Sequence, residues 1–275
     1  MSQLDGSAIS QIQALTLGAS FLEAVKKTDC PVSVLPNDVE VHSLERFYTN
    51  RFRFRGALKT TSIADFVRYS NGYATQEEPA RCFIDADNMS AKSVFNIGTL
   101  TAPGHADNVA TIKLKKTASF SALLEINGKR QQQKNMAEWL EDWSDFLTAF
   151  DVDGNKMSIA QAASAVRRIS IRQMQESDHE DGDFSGKKSL MQSIEASSKE
   201  IMPAAFEFKC VPYEGLGERR FSLRNSLLKS DEPCFVLRIV QLEAQAEAIA
   251  TEFRDLLISH FDGQPVETFI GDFNA

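Results

Sequence analysis

Residues 205–240, AFEFKCVPYEGLGERRFSLRNSLLKSDEPCFVLRIV, contain three short runs in which apolar and polar side chains alternate: 205–211, 221–228 and 234–240. A period of two is the signature of an extended chain, because successive side chains leave a strand on opposite faces. Gly215-Leu216-Gly217 reads as the turn between the first two runs. The three runs together predict a carboxy-terminal antiparallel sheet. A final amphipathic helix then closes over it, since Ile249, Phe253, Leu256, Leu257 and Phe261 recur at steps of three and four.

Moving toward the amino terminus, the strongest helical signal lies at 136–150. Met136, Leu140, Trp143, Leu147 and Phe150 follow a 4-3-4-3 spacing, and Trp139 and Phe146 widen the stripe. Asn135 is the expected cap, answered by Glu138 three residues on. Ser158 and Gln161 repeat that pattern before Ile159, Ala163 and Val166. Beyond residue 168 the alternation of Ile169 and Ile171 favours a strand at 168–176, the acidic stretch 178–183 a turn, and 188–196 a returning strand.

The first half reads as mixed. A first helix is expected at 8–27, ended by Cys30-Pro31, with Ile9, Ile12, Leu15, Ala19 and Leu22 on one face. Strands are expected at 39–44, 51–58, 81–85, 92–97 and 108–115. A short helix capped by Ser62 should turn Phe66 and Tyr69 inward and stop at Gly72. The fold class that follows is α+β, with predominantly antiparallel sheets, an aromatic-rich central helix and amphipathic terminal helices. A subdomain boundary is expected near 151–158, dividing an alpha-beta region (1–150) from an antiparallel-sheet region (151–275), the two forming one continuous globular unit or a pair.

Thirty basic and thirty-eight acidic residues give a formal net charge of -8 and a pI near 5.2, a balance that favours solubility and weakens any default expectation of phosphate binding. The four cysteines, Cys30, Cys82, Cys210 and Cys234, form no CxxC pair, and a reducing, cytoplasmic setting is the simpler reading. The amino terminus lacks the pattern of a secretory signal, and no apolar run approaches the length of a membrane span.

Three groups of residues bear on function. Asp85 and Asp87, two apart on an extended segment, would combine with His105 and Asp107 into a divalent-metal or acid-base site if the 103–107 loop passes the strand end. Arg51, Arg53 and Arg55 would share one strand face, with Phe52 and Phe54 in the core behind them; with Lys113 and Lys115 they are the candidate nucleic-acid contacts. Met136, Trp139, Leu140, Trp143 and Leu147 present more apolar surface than a lone helix should leave in water, and form the candidate interface. The loop 151–158, DVDGNKMS, departs from calcium-loop spacing, because Gly154 is fourth rather than sixth and Ala162 stands where a bidentate Glu belongs; an Asx turn accounts for it. HExxH, GxxxxGK[ST] and GxSxG are missing from the chain, and nothing in it implies a cofactor.

The segments FIDADN, PGHADNVATIKL, FSALLEINGKRQQQKNMAEWLEDWSDFL and PAAFEFKCVPYEGLGERRFSLRNSLL resemble the YfdQ-like family of uncharacterised phage and prophage proteins over nearly the whole chain. Pro103, Gly104, Asp107, Asn108, Gly128, Gln133, Ala137, Glu138, Glu141, Glu214 and Gly215 are the family-like positions. Where relatives carry Trp-x-x-Trp, this chain has Phe120-Ser121-Ala122-Leu123. The resemblance implies a phage origin and names no activity. The reading favoured is a non-enzymatic accessory protein that forms a homo-oligomer or binds a phage or host protein, away from membranes. Nucleic-acid or nucleotide binding is one alternative, and a divalent-metal-dependent enzyme the other.

Overall fold

The computed structural model describes residues 6, 9–13, 15–16, 45–169, 201–228 and 233–274. The strands expected at 39–44, 168–176 and 188–196, the 178–183 turn and the second half of the first helix fall wholly or mainly outside them. The chain forms two compact units, Met1–Arg53 and Phe54–Ala275. In the first, residues 9–13 and 15–16 are helical and a short 3-10 turn spans Glu45–Phe47.

The second unit is α+β. In chain order its elements are β1 (Gly56–Thr60), α1 (Ile63–Tyr73), β2 (Ala80–Asp85), β3 (Ser90–Val94), β4 (Asn108–Lys113), α2 (Ala118–Ile126), β5 (Arg130–Gln132), α3 (Gln133–Asp142), β6 (Leu147–Phe150), β7 (Lys156–Met157), α4 (Ile159–Arg168), β8 (Ala205–Cys210), β9 (Arg219–Leu228), β10 (Cys234–Ile239), α5 (Leu242–Phe261) and β11 (Val266–Ile270). They build a five-stranded sheet, β1-β4-β3-β2-β11, and a six-stranded sheet, β5-β10-β9-β8-β6-β7. The six-stranded sheet is antiparallel throughout, whereas both edge strands of the other run parallel to their neighbours. The last strand thus returns to the first sheet, and the second sheet takes strands from both sides of residue 150.

Local signals explain several elements. Ser62 caps α1 by accepting the Asp65 amide at 3.2 Å, and Ser158 with Gln161 closes a full capping box on α4. The buried face of the first sheet combines small residues, Ala80, Cys82, Ala91, Ser93 and Ala110, with Ile84 and Ile112, and α1 and α5 cover it. There Phe66 meets Phe261 edge-on at 6.1 Å, and the Ser70 and Ser93 hydroxyls satisfy each other at 3.0 Å. On the second sheet Phe206, Phe208, Phe221, Leu223, Phe235 and Leu237 form the dry face, under α2 and α3.

Several expectations need correction. The helix foreseen at 136–150 begins at Gln133 and ends at Asp142, so Asn135 does not cap it; Ser144–Phe146 is a 3-10 turn and Leu147–Phe150 is a strand. Leu147 and Ala149 point into the core while Thr148 and Phe150 point out, so the same apolar spacing serves a strand here. Gly72 lies inside α1 rather than ending it. Residues 51–55 are not a strand, since β1 begins at Gly56. Phe52 is 97% exposed and Phe54 50%, so neither is a core residue.

Candidate functional site

The metal group does not assemble. β3 pairs antiparallel with both β2 and β4, placing Asp85 level with Ser90 and Lys113, whereas Asp107 precedes Asn108 at the other end of β4. A six-residue strand separates the two ends by roughly 17 Å. The 95–107 loop is tied to its own end: Asn96 donates to the Asp107 carboxylate at 2.8 Å and accepts the Asn108 amide at 3.0 Å. Glycine is required there, because a Cβ on Gly104 would stand 2.0 Å from the Asn96 carbonyl. His105 is exposed on that loop. Asp85 accepts the backbone and side-chain N–H groups of Asn88 in the β2–β3 turn. With Asp87 it lines an open groove of about 390 Å³ beside Glu247, Thr251 and Arg254. Among the described residues no cluster of three His, Cys, Asp or Glu could hold a metal ion.

Asp151 accepts the amides of Asp153 and Asn155 at 2.9 and 2.8 Å, the Asx turn expected of that loop. Desolvation raises its carboxyl, but the amides of Asn155, Asp153 and Gly154 outweigh this and hold it below its ordinary value. Cys82 and Cys210 are free and buried, and loss of hydration pushes their thiols up to about 12 and about 11, far from a nucleophile's range.

The tryptophan stripe serves the chain's own core. Met136 and Leu140 are fully enclosed and Leu147 is buried, while half-buried Trp139 and Trp143 gather round Phe208 of β8 at ring separations of 5.9 and 6.3 Å. Phe146 stacks on the same ring at 5.7 Å. Of the proposed nucleic-acid contacts, Lys115 is 3.5 Å from Glu214. Arg55 precedes β1 and Lys113 ends β4; because these strands are parallel and in register, the two cations lie at opposite ends of the sheet.

The Gly215-Leu216-Gly217 turn is a clamp between layers. Glu252 of α5 accepts the Gly217 amide at 2.7 Å and the Arg219 guanidinium at 2.8 Å. A carboxylate of the chain itself therefore fills the place where an incoming anion would have met this turn. Desolvation raises the Glu252 carboxyl, and the Gly217 amide and Arg219 together bring it below its ordinary value.

The feature that sequence reasoning passed over is the outer face of the second sheet. Register places Lys156, Phe150, Ala205, Arg224 and Arg238 in one row across β7, β6, β8, β9 and β10. Arg130 stands opposite Val236, two residues from Arg238 on the same face, and Lys209 lies directly opposite Arg220. Directly opposed residues have Cα atoms only about 4.5–5.5 Å apart, and like charges so placed are destabilising. Glu207 and Glu218 relieve the second pair, at 3.6 Å from Arg220 and 2.6 Å from Lys209. Among the described residues Arg224, Arg238 and Arg130 make no ion pair, and all three are exposed. Alternation in 205–240 already sorted these side chains onto one face; which strands lie side by side depends on pairing across the chain.

The family described as "Uncharacterized conserved protein (DUF2303)" matches residues 5–273. No curated protein and no solved structure matches the chain.

Proposed function

Since the chain belongs to the DUF2303 family of uncharacterised conserved proteins, whose description names no activity, we propose from its surface that it is a non-enzymatic binding protein for a polyanionic macromolecule. The observation that carries this reading is the opposition of Arg224 and Arg238, both exposed, on the outer face of the second sheet, in a chain whose net charge is -8. Self-repulsion of that kind is removed when anions settle between the cations. A cytoplasmic phage or prophage accessory protein, the setting implied by the YfdQ-like pattern, would meet such partners. Among the described residues no helix is long and apolar enough to cross a membrane. The test is chromatography on immobilised heparin: an acidic protein with this face should be retained at low salt and released as salt rises. Arg224→Gln/Arg238→Gln should elute markedly earlier, and passage of the wild-type protein without retention would defeat the reading.

A second reading, self-association, rests on a separate observation. In the Met1–Arg53 unit, Ile9, Ile12 and Leu15 recur at helical steps of three and are 47%, 54% and 74% exposed. Burying such a stripe against a second copy or another protein would remove it from water. Light scattering over a concentration series tests it: oligomers should form, and should weaken when Ile12 and Leu15 are changed to Gln. A monomer at all concentrations rules out a second copy as the occupant.

A further inference from the structure

Resting on the polyanion reading, the geometry points to one partner for the second sheet's outer face: the sugar-phosphate backbone of double-stranded nucleic acid, bound without regard to sequence. Two properties of the face select it. The first is the spacing and sign of its charges. From Arg220 to Arg224 is four residues on one strand, a rise of roughly 14 Å. One strand of a duplex passes about four phosphates in that distance, at ~3.4 Å each along the axis. Lys209 stands beside Arg220 and Arg238 beside Arg224, so cations occur in side-by-side pairs at both ends of the interval, with Arg130 extending the far end. Glu207 is the carboxylate lying between them on β8, and it is already engaged with Arg220.

The second property is what the face lacks. Single-stranded nucleic acid is held by rings on which successive bases stack, in addition to cations. On this face, among the described residues, the aromatic side chain is Phe150, half-buried in its row between Lys156 and Ala205. The side chains that could read a base edge by hydrogen bonding are few: Thr148, Ser222 and Ser226 are short, and Gln132 stands at the sheet edge on the face of Arg130. A surface that offers charge and little else discriminates by charge density. A duplex carries one charge per ~1.7 Å of axis against ~3.4 Å for one of its strands. Duplex is therefore the favoured form, and the contacts are of the kind that position a protein without specifying a sequence.

Fluorescence anisotropy of the full chain with a labelled DNA duplex of arbitrary sequence, with one of its strands, and with labelled heparin separates the possibilities. The duplex should bind more tightly than the single strand. Its affinity should fall with salt at a logarithmic slope near -3.6 for about four phosphates. Arg224→Gln/Arg238→Gln should weaken duplex binding at least tenfold and flatten that slope by about 2. Arg130→Gln, on a different strand, should flatten it by about 1. An unchanged circular-dichroism spectrum would show that each variant is folded. Single strand bound as tightly as duplex, or a double variant that binds duplex as the wild type does, overturns the inference. Binding of heparin without binding of duplex overturns it while leaving the polyanion reading intact; binding of neither removes both.

Discussion

The two sheets of the Phe54–Ala275 unit treat their dry faces alike and their wet faces oppositely. Each covers one face with helices and buries aromatic rings there. On the other face the first sheet satisfies its own side chains. Phe83 stacks with Phe269 at 5.4 Å and with Phe273 of the carboxy-terminal tail at 4.5 Å, Arg81 pairs with Glu267, and the Lys92 ammonium donates to the Phe273 carbonyl at 3.2 Å. The second sheet sets Arg224 against Arg238 and leaves both without an ion pair among the described residues. A surface that neutralises itself needs nothing more to be stable. One that keeps like charges in register gives up stability that a bound anion would restore.

The comparison breaks most easily at its shared part. Phe208→Ala removes the ring on which Trp139, Trp143 and Phe146 converge, and should cost about 3–5 kcal/mol. Urea denaturation followed by tryptophan fluorescence would show it, with the native spectrum itself shifted because both indoles touch that ring.

Next is the clamp that joins α5 to the β8–β9 turn. Glu252→Ala orphans the Gly217 amide and leaves Arg219, 22% exposed, without its carboxylate. The expected loss is about 1–3 kcal/mol at neutral pH. Because the folded protein holds this carboxyl below its ordinary value of 4.5, the stabilisation is complete above that value and fades as pH falls through the depressed one. Wild type and variant should therefore converge in stability in acid, as denaturation at two pH values would reveal.

A smaller effect is expected on the first sheet's wet face. Phe273→Ala removes the outer ring of the stack and should cost about 0.5–1.5 kcal/mol, with a rise in amide exchange near Gly271, whose N–H is bonded to the Ile84 carbonyl. The smallest effect has the opposite sign. Arg238→Thr should stabilise the protein by about 0.2–1 kcal/mol, by relieving the cross-strand repulsion. The sharpest form of the comparison is that this variant gains in thermal unfolding while it loses heparin retention. A loss of stability instead would mean that Arg238 is already balanced within the fold.

Much of this architecture was legible from local chemistry. Ser62, Ser158 and Gln161 announced two helix starts, because a capping side chain answers amides only three residues away. The alternation in 205–240 announced β8, β9 and β10. The Phe253 and Leu257 spacing announced α5, but not its place: instead of closing over β8–β10 it packs with α1 and β11 on the first sheet. Reading failed where one pattern suits two structures. Leu147 to Phe150 fits the helical stripe of α3, yet the helix ends at Asp142 and the segment joins β8. Phe52 and Phe54 alternate as core strand residues do, yet both are exposed.

By itself, then, the sequence determined the kinds of element, their caps and the two faces of each strand, since these rest on neighbours within a few residues. Only the tertiary structure decided that Asp85 and Asp107 lie at opposite ends of the first sheet, that Glu252 fills the glycine turn, and that Arg224 faces Arg238. The physical reason is register. Sliding one strand past another by a single residue exchanges every cross-strand partner, and the hydrophobic packing that selects the register comes from side chains far away in the chain.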